Sequence, residues 1–256
     1  MNLYFYLEDS GSGKMIIQEW IKVLIPGMNL VNVMEDIDNS KYENSFMIWT
    51  GGGQPSLLGI DDCSPEKNRL GCTIDTVNEH SFDYLIIILD CDDQDPKQIK
   101  EEVNRRIESY KNKLNDGCTC KIFVQNKCFE TWLLGYRELI YNLNDQSEYY
   151  DVFVDKYLDH YNIINQDPEL LEKPEYTEIS TISKYHVEYL KYYFLATCGL
   201  TYKKGKKPKT SKIPPIVFTT EYINSLKNRI KETKHLESLK EFFEFINEVN
   251  LILKEA

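Results

Sequence analysis

The sequence predicts an α/β protein with a mainly parallel sheet flanked by helices, followed by a helical C-terminal section. Three observations lead to this expectation. The run DYLIIILD at 83–90 is continuously apolar between acids, as a central parallel strand covered on both faces must be. Strand-like and helix-like segments alternate through residue 143, the pattern of βαβ units. Beyond residue 148 the remaining long segments read as helices.

Taken in order, NLYFYLE (2–8) reads as a buried aromatic strand ending in an acid. SGSG follows, and KMIIQEWIKVL (14–24) has apolar positions suited to a helix, which Pro26 and Gly27 stop. MNLVNV (28–33) and SFMIWT (45–50) are short strands, and small helices fit around 66–79. After the central strand, CDDQDP breaks the chain and residues 96–115 form an amphipathic helix with proline in its first turn. CKIFV (120–124) returns as a strand, and a helix begins at about Cys128 and runs through FETWLLGYRELIY. Residues 148–165 and 180–198 are helical, with a proline- and acid-rich connection at 167–178. The stretch 219–253 forms one or two helices, with an apolar stripe through Leu226, Ile230, Leu236, Leu239, Phe242, Phe243 and Ile246. The expected division is 1–145 for the α/β domain and 146–256 for a helical section packed on it or serving as a partner surface.

The composition narrows the function. A chain of 256 residues with 42% hydrophobic and 12% aromatic content fits a packed protein. No apolar run approaches the roughly 20 residues needed to cross a bilayer. The N-terminus also lacks a basic start and a cleavage site, so a cytoplasmic location with no membrane partner is expected. A net charge of −11 argues against nonspecific nucleic-acid binding by the whole surface. A local basic patch exists at YKKGKKPKTSK (202–212), which otherwise reads as a solvated loop. Seven cysteines without a CxxC pair, far from the histidines, do not support a structural zinc site. The residues needed for deaminase, protease or hydride-transfer chemistry are missing.

GSGK at 11–14 follows a strand and precedes a helix, yet it is no Walker A loop. Glu8 stands at the first glycine position and Met15 at the Ser/Thr position, so a turn and helix start is the better reading. The stronger candidates are carboxylates at strand ends. Glu8 ends the first strand, and Asp90 and Asp92 end the central one; strand C-termini line one edge of a parallel sheet, where ligands bind. Two residues apart on extended backbone, Asp90 and Asp92 point the same way and favour a hard divalent cation between them. Structural readings stand beside these: Glu8 as a solvated strand end, Asp90 as a helix cap, and Asp92, Asp93 and Asp95 as a polar turn. Glu130, in the first turn of its helix, is explained by the helix dipole alone.

The strand ending in Glu8, the strand ending in Asp90-Cys91-Asp92 and the βαβα order between them resemble the Toprim fold shared by topoisomerases, primases and OLD-type nucleases. NKCFETWLL (126–134) more specifically resembles the NPCFE-W-LL signature of RloB-like Toprim proteins, relatives of effector subunits in bacterial phage defence. RIKETKHL (229–236) is similar to that group as well. The resemblance implies a nuclease dependent on Mg²⁺ (or Mn²⁺) that cleaves phosphodiester bonds of DNA or RNA, including tRNA, in antiviral defence. Glu8 would handle proton transfer or bind metal, Asp90 and Asp92 would bind metal with help from Asp93, and Glu130 would be an additional site acid. Lys14, Lys127, Lys203, Lys204, Lys206 and Lys207 would contact nucleic acid. Two departures from the pattern are Asp9-Ser10 in place of the glycine after the glutamate, and Lys127 where proline is common. Expected partners are the nucleic acid, an ABC- or AAA-type ATPase subunit and a second copy of the chain in a homodimer. The competing reading is a non-autonomous regulatory or binding subunit that an ATPase partner holds and releases.

Overall fold

The computed structural model describes residues 1–39, 41–53, 56–59, 69–143 and 147–255. Its strands are β1 (Asn2–Leu7), β2 (Asn29–Leu30), β3 (Ser45–Thr50), β4 (Tyr84–Asp90) and β5 (Thr119–Gln125). They form a five-stranded sheet in the order β2-β3-β1-β4-β5, and every pair is parallel. Leu7 pairs with Ile88 at the end of the β1–β4 ladder, and the Glu8 N–H extends it by donating to the Ile88 carbonyl at 3.1 Å.

Both faces of this sheet are covered, which is why DYLIIILD shows no alternation. Leu3, Phe5, Leu7, Phe46, Ile86, Ile88 and Phe123 face one way. They meet Trp20 of α1 (Ser12–Leu24) and Phe242, Phe243 and Phe245 of α9 (Glu237–Glu255). Tyr4, Tyr6, Leu85, Ile87 and Leu89 face the other way, against Ile74 of α3 (Leu70–Glu79) and Ile99 and Val103 of α4 (Pro96–Ser109). Successive β4 side chains therefore enter different cores.

Several boundaries differ from the sequence expectation for physical reasons. α1 starts at Ser12, two residues early, because the Asp9 carboxylate accepts from the Gly11 N–H at 2.7 Å and the Ser12 hydroxyl at 3.1 Å. β2 is only two residues long, an edge strand with one neighbour. α2 (Glu35–Asp38) is a single turn. The helix placed at 66–79 is α3; residues 66–68 lie outside the described part. α4 ends at Ser109 rather than near 115, because Tyr110 turns extended (ψ 141°) and its hydroxyl donates to Asp75 at 2.6 Å. α5 (Phe129–Leu133) is short: the Gly135 carbonyl is taken by Arg229 at 2.9 Å, and a 3₁₀ segment, Glu138–Asn142, follows.

In the C-terminal half, α6 (Tyr150–Phe153) runs into a π turn over Val154–Leu158. α7 (Ile182–Cys198) is capped by Thr181 and closed by Gly199 at φ 67°. The stretch 219–253 holds two helices, α8 (Thr220–Thr233) and α9. α9 lies on the sheet, with Phe242 edge-on to Phe123 at 5.5 Å and Phe245 edge-on to Tyr84 at 5.4 Å. The helical section thus covers part of one sheet face, and the expected boundary at 145/146 falls outside the described residues. Arg229, in the RIKETKHL segment, is fully buried and ties α8 to the carbonyls of Gly135, Ile163 and Gln166 at 2.9, 2.6 and 2.7 Å. Among the described residues no helix is long and apolar enough to cross a membrane.

Two buried groups near α5 give the fold opposing pH dependences. Glu169 accepts from the Ser238 N–H at 3.0 Å, and burial pushes its carboxyl up from 4.5 to about 7. His186 lies between the Thr131 hydroxyl (2.8 Å) and the Leu171 carbonyl (2.9 Å), and burial pushes it down from 6.5 to about 4. Between its two values Glu169 holds a proton that the unfolded chain releases, so its contribution falls as pH rises. His186 refuses a proton that the unfolded chain takes, so its contribution is lost as pH falls through its window. Glu169→Gln removes the first and keeps the second. Relative to the parent protein, its unfolding free energy is expected to gain about 1.4 kcal/mol per pH unit over roughly pH 5–6.5. Urea denaturation across that range measures it, and equal slopes would refute the assignment.

Candidate functional site

From β1 the chain runs outward to β2, returns to β3, then crosses to β4 on the other side of β1. Loops leave β1 and β4 in opposite directions at this switch point, which opens a crevice beyond their C-terminal ends. Glu8 follows β1 and Asp90 ends β4, so both half-buried carboxylates reach it. The Asp90 N–H donates to Glu8 Oε2 at 3.1 Å, which fixes the glutamate across the strand gap. Burial drives the Asp90 carboxyl well above the usual range; Lys204 pulls it down, and Glu8, Glu130 and Asp9 push it further up.

One cation near these acids belongs to the lysine loop. Lys204 Nζ donates to Glu130 Oε2 at 3.0 Å and lies 3.7 Å from Asp9 Oδ2. Tyr202, two residues earlier and on the same side of the extended backbone, donates its hydroxyl to Glu130 Oε1 at 2.7 Å. Lys203 lies between them, exposed, and its backbone bridges to Lys212. The loop is seated on the turn before α1. The Ser10 hydroxyl donates to the Lys206 carbonyl at 2.9 Å, and a Cβ on Gly11 would lie 1.6 Å from the Gly205 carbonyl oxygen. The glycines of GSGK thus make room for another backbone.

Glu130 is wholly inaccessible. Burial alone would raise its carboxyl, but the Lys204 charge and the Tyr202 and Lys204 hydrogen bonds win and hold it low. Lys204 is raised in turn: burial opposes its charge, and Glu130, Asp90 and Asp9 outweigh that cost. The pair is ionised. Glu130 is therefore not an acid that solvent or substrate can meet; it positions Lys204.

Asp92 departs from the expected geometry. The extended backbone ends at Asp90, and Asp92 sits at φ 49° with its N–H on the Lys127 carbonyl at 2.8 Å. It is exposed, and its carboxylate accepts from the Ser183 hydroxyl on α7, so it does not share the direction of Asp90. Asp93 is exposed in the same turn, and Asp95 caps α4 through the Lys97 N–H at 2.9 Å.

The other lysines divide. Lys127 Nζ is committed to Glu172 at 2.8 Å rather than displayed to a ligand. Its backbone, at φ 73° with its N–H directed at Cys91 Sγ, is one that a proline ring could not adopt. Lys14 is half-buried in the first turn of α1, and Lys203, Lys206 and Lys207 are exposed on the loop. Sequence reasoning missed Asp9, Tyr202 and Ser183 as neighbours of the site; the Tyr-x-Lys spacing was the one available signal for the inward pair.

Among the described residues no group of three or more His, Cys, Asp or Glu side chains is arranged to hold a metal ion. Mg²⁺ does not require one: it keeps several waters and binds through one or two carboxylates plus substrate phosphates. Glu8 and Asp90 are hard oxygen donors on adjacent strand ends, with the Asp90 backbone N–H holding the Glu8 carboxylate, and one or two such carboxylates are what that requirement asks for.

No family model matches the chain, nor does any curated protein or solved structure.

Proposed function

We propose that the protein is a Toprim-type nuclease that cleaves phosphodiester bonds of DNA or RNA with Mg²⁺ or Mn²⁺, acting in antiviral defence. The observation that supports this most is the meeting of Glu8 and Asp90 at the switch point of a parallel sheet. A divalent ion held by these two carboxylates would polarise a phosphoryl oxygen and activate water. The chain's own residues contribute orientation and charge. The Asp90 N–H aims the Glu8 carboxylate. Lys204 places an ammonium, 30% exposed, against Glu130 and 3.7 Å from Asp9, the neighbour of Glu8. Lys203, Lys206 and Lys207 offer the exposed positive charge that a phosphate backbone requires, on an otherwise acidic protein.

Incubation of the purified protein with Mg²⁺ or Mn²⁺ and a panel of DNA and RNA substrates is expected to give salt-sensitive cleavage. Asp90→Asn and Glu8→Gln are each expected to lower it by about 100-fold or more. A clean negative with both metals would sink the autonomous enzyme. The second reading, a subunit kept silent until an ATPase partner releases it, draws support from Lys204 being already paired with Glu130 and Asp9 beside the crevice. On that reading, cleavage appears only when the partner is added.

A further inference from the structure

We propose that the groove between α8 and α9 is a second nucleic-acid site, in which Lys227, Lys231 and Lys234 hold the phosphate backbone of a substrate that extends beyond the crevice. The inference rests on the nuclease reading and names where that enzyme grips its polymer.

The groove has a volume of about 550 Å³ and is floored by Ile230 and Phe243. Lys227, Lys231 and Lys234 line the α8 side, and Lys240 lines the α9 side. Lys240 is already answered, since its ammonium lies 2.7 Å from Glu237. The other three are not ion-paired with any described residue. Spaced four and three apart, they share one face of the helix, where like charges repel one another. Lys227 is half-buried with its ammonium 5.3 Å from the centre of the Phe243 ring, and burial pushes its pKa down with no carboxylate to offset it. The helix dipole accounts for cations in the last turn of α8, at Lys231 and Lys234. It does not account for Lys227, which stands further back. Unanswered positive charge in a groove, on a chain of net charge −11, attracts an anion.

The shape of the groove favours a phosphate backbone over an acidic protein segment. Seven residues of helix rise about 10 Å, and one strand of stacked nucleic acid carries about three phosphates in that length. An amphipathic helix would need open apolar anchors, but Phe243 is only 4% exposed and lies under Lys227. The location fits as well. Ser238, in the first turn of α9, accepts from the Asn126 N–H just past the end of β5 at 3.5 Å. Phe245, further along α9, meets Tyr84 at the start of β4. α9 therefore runs against the strands, and the Lys234–Lys240 end of the groove opens toward the sheet edge that carries the crevice.

The test is fluorescence anisotropy with a labelled single-stranded oligonucleotide and, separately, labelled poly-L-glutamate, in EDTA and across a salt series. The groove variants are Lys227→Met/Lys231→Gln/Lys234→Gln and the pair Lys231→Gln/Lys234→Gln. The pair alters exposed positions only and keeps the test valid if the triple variant misfolds. Lys41→Gln/Lys111→Gln/Lys113→Gln removes the same charge from other exposed positions. The triple groove variant is expected to bind the oligonucleotide about 30-fold or more weakly at low salt, with a salt dependence shallower by about two phosphate contacts. The pair is expected to show a smaller loss in the same direction, and the distant variant to match the parent. Parent-like oligonucleotide binding by the groove variants, or an equal loss in the distant variant, would overturn the proposal. So would a loss confined to poly-L-glutamate, which would assign the groove to an acidic protein segment. Cleavage with Mg²⁺ separates the two readings. A parent that binds through the groove but cleaves nothing keeps the groove and loses the nuclease; a parent that cleaves while the groove variants bind normally does the reverse.

Discussion

Arg229→Ala is expected to lower the unfolding free energy by about 3–5 kcal/mol, measured by urea denaturation. The guanidinium is fully buried and donates to three carbonyls, on Gly135, Ile163 and Gln166. Alanine would leave these acceptors without their donor and open a cavity. Burial pulls the arginine down only to about 10, so it stays charged at neutral pH, and its bonds are of the stronger, charge-assisted kind. Arg229→Lys keeps the charge but has neither the planar fork nor the reach to serve three acceptors. It is expected to recover only a minor part of the loss. Full recovery by lysine would show that charge, not the fork, matters here.

Glu130→Ala is expected to cost a similar amount, about 3–5 kcal/mol, for a different reason. It removes the closest counter-ion of Lys204 and the acceptor of the buried Tyr202 hydroxyl in one step. Glu130→Gln keeps an acceptor for Tyr202 and loses only the charge, so it should fall between alanine and the parent. The double variant Glu130→Gln/Lys204→Met should be more stable than Glu130→Ala, because a buried pair costs most when one partner is left behind. If Glu130→Ala unfolds at the same urea concentration as the parent, the pair is not the clamp that its geometry indicates.

The sheet and its carboxylate edge were legible in the sequence because they depend on local pattern. DYLIIILD showed a strand buried on two faces, and a strand end that carries an acid needs no tertiary information to reach the C-terminal edge. α5 was not legible. Nothing in FETWLLGYRELIY shows that Arg229, 94 residues away, takes the carbonyl of Gly135. Asp92 was misplaced for a related reason: DxD spacing fixes direction only on extended backbone, and the chain turns left-handed there to reach the Lys127 carbonyl. The lysine loop hid the largest surprise. Its composition reads as solvated charge, and most of it is exposed, but Tyr202 and Lys204 share the inward side and meet an acid more than 70 residues earlier in the chain. Nothing in the first turn of FETWLL shows that Glu130 is sealed from solvent.

α9 has a consequence for how the protein comes into being. The face of the sheet formed by Leu3, Phe5 and Phe123 is covered in part by Phe242, Phe243 and Phe245, which are synthesised after every strand of the sheet. During synthesis the five strands can be complete while an aromatic surface still waits for its lid. Contacts so distant in sequence close slowly, and a nascent sheet with one half-covered face is prone to aggregate. The growing chain would be a natural client for chaperones, and a chain released before Glu237 would lack the three phenylalanines that complete the cover of that face.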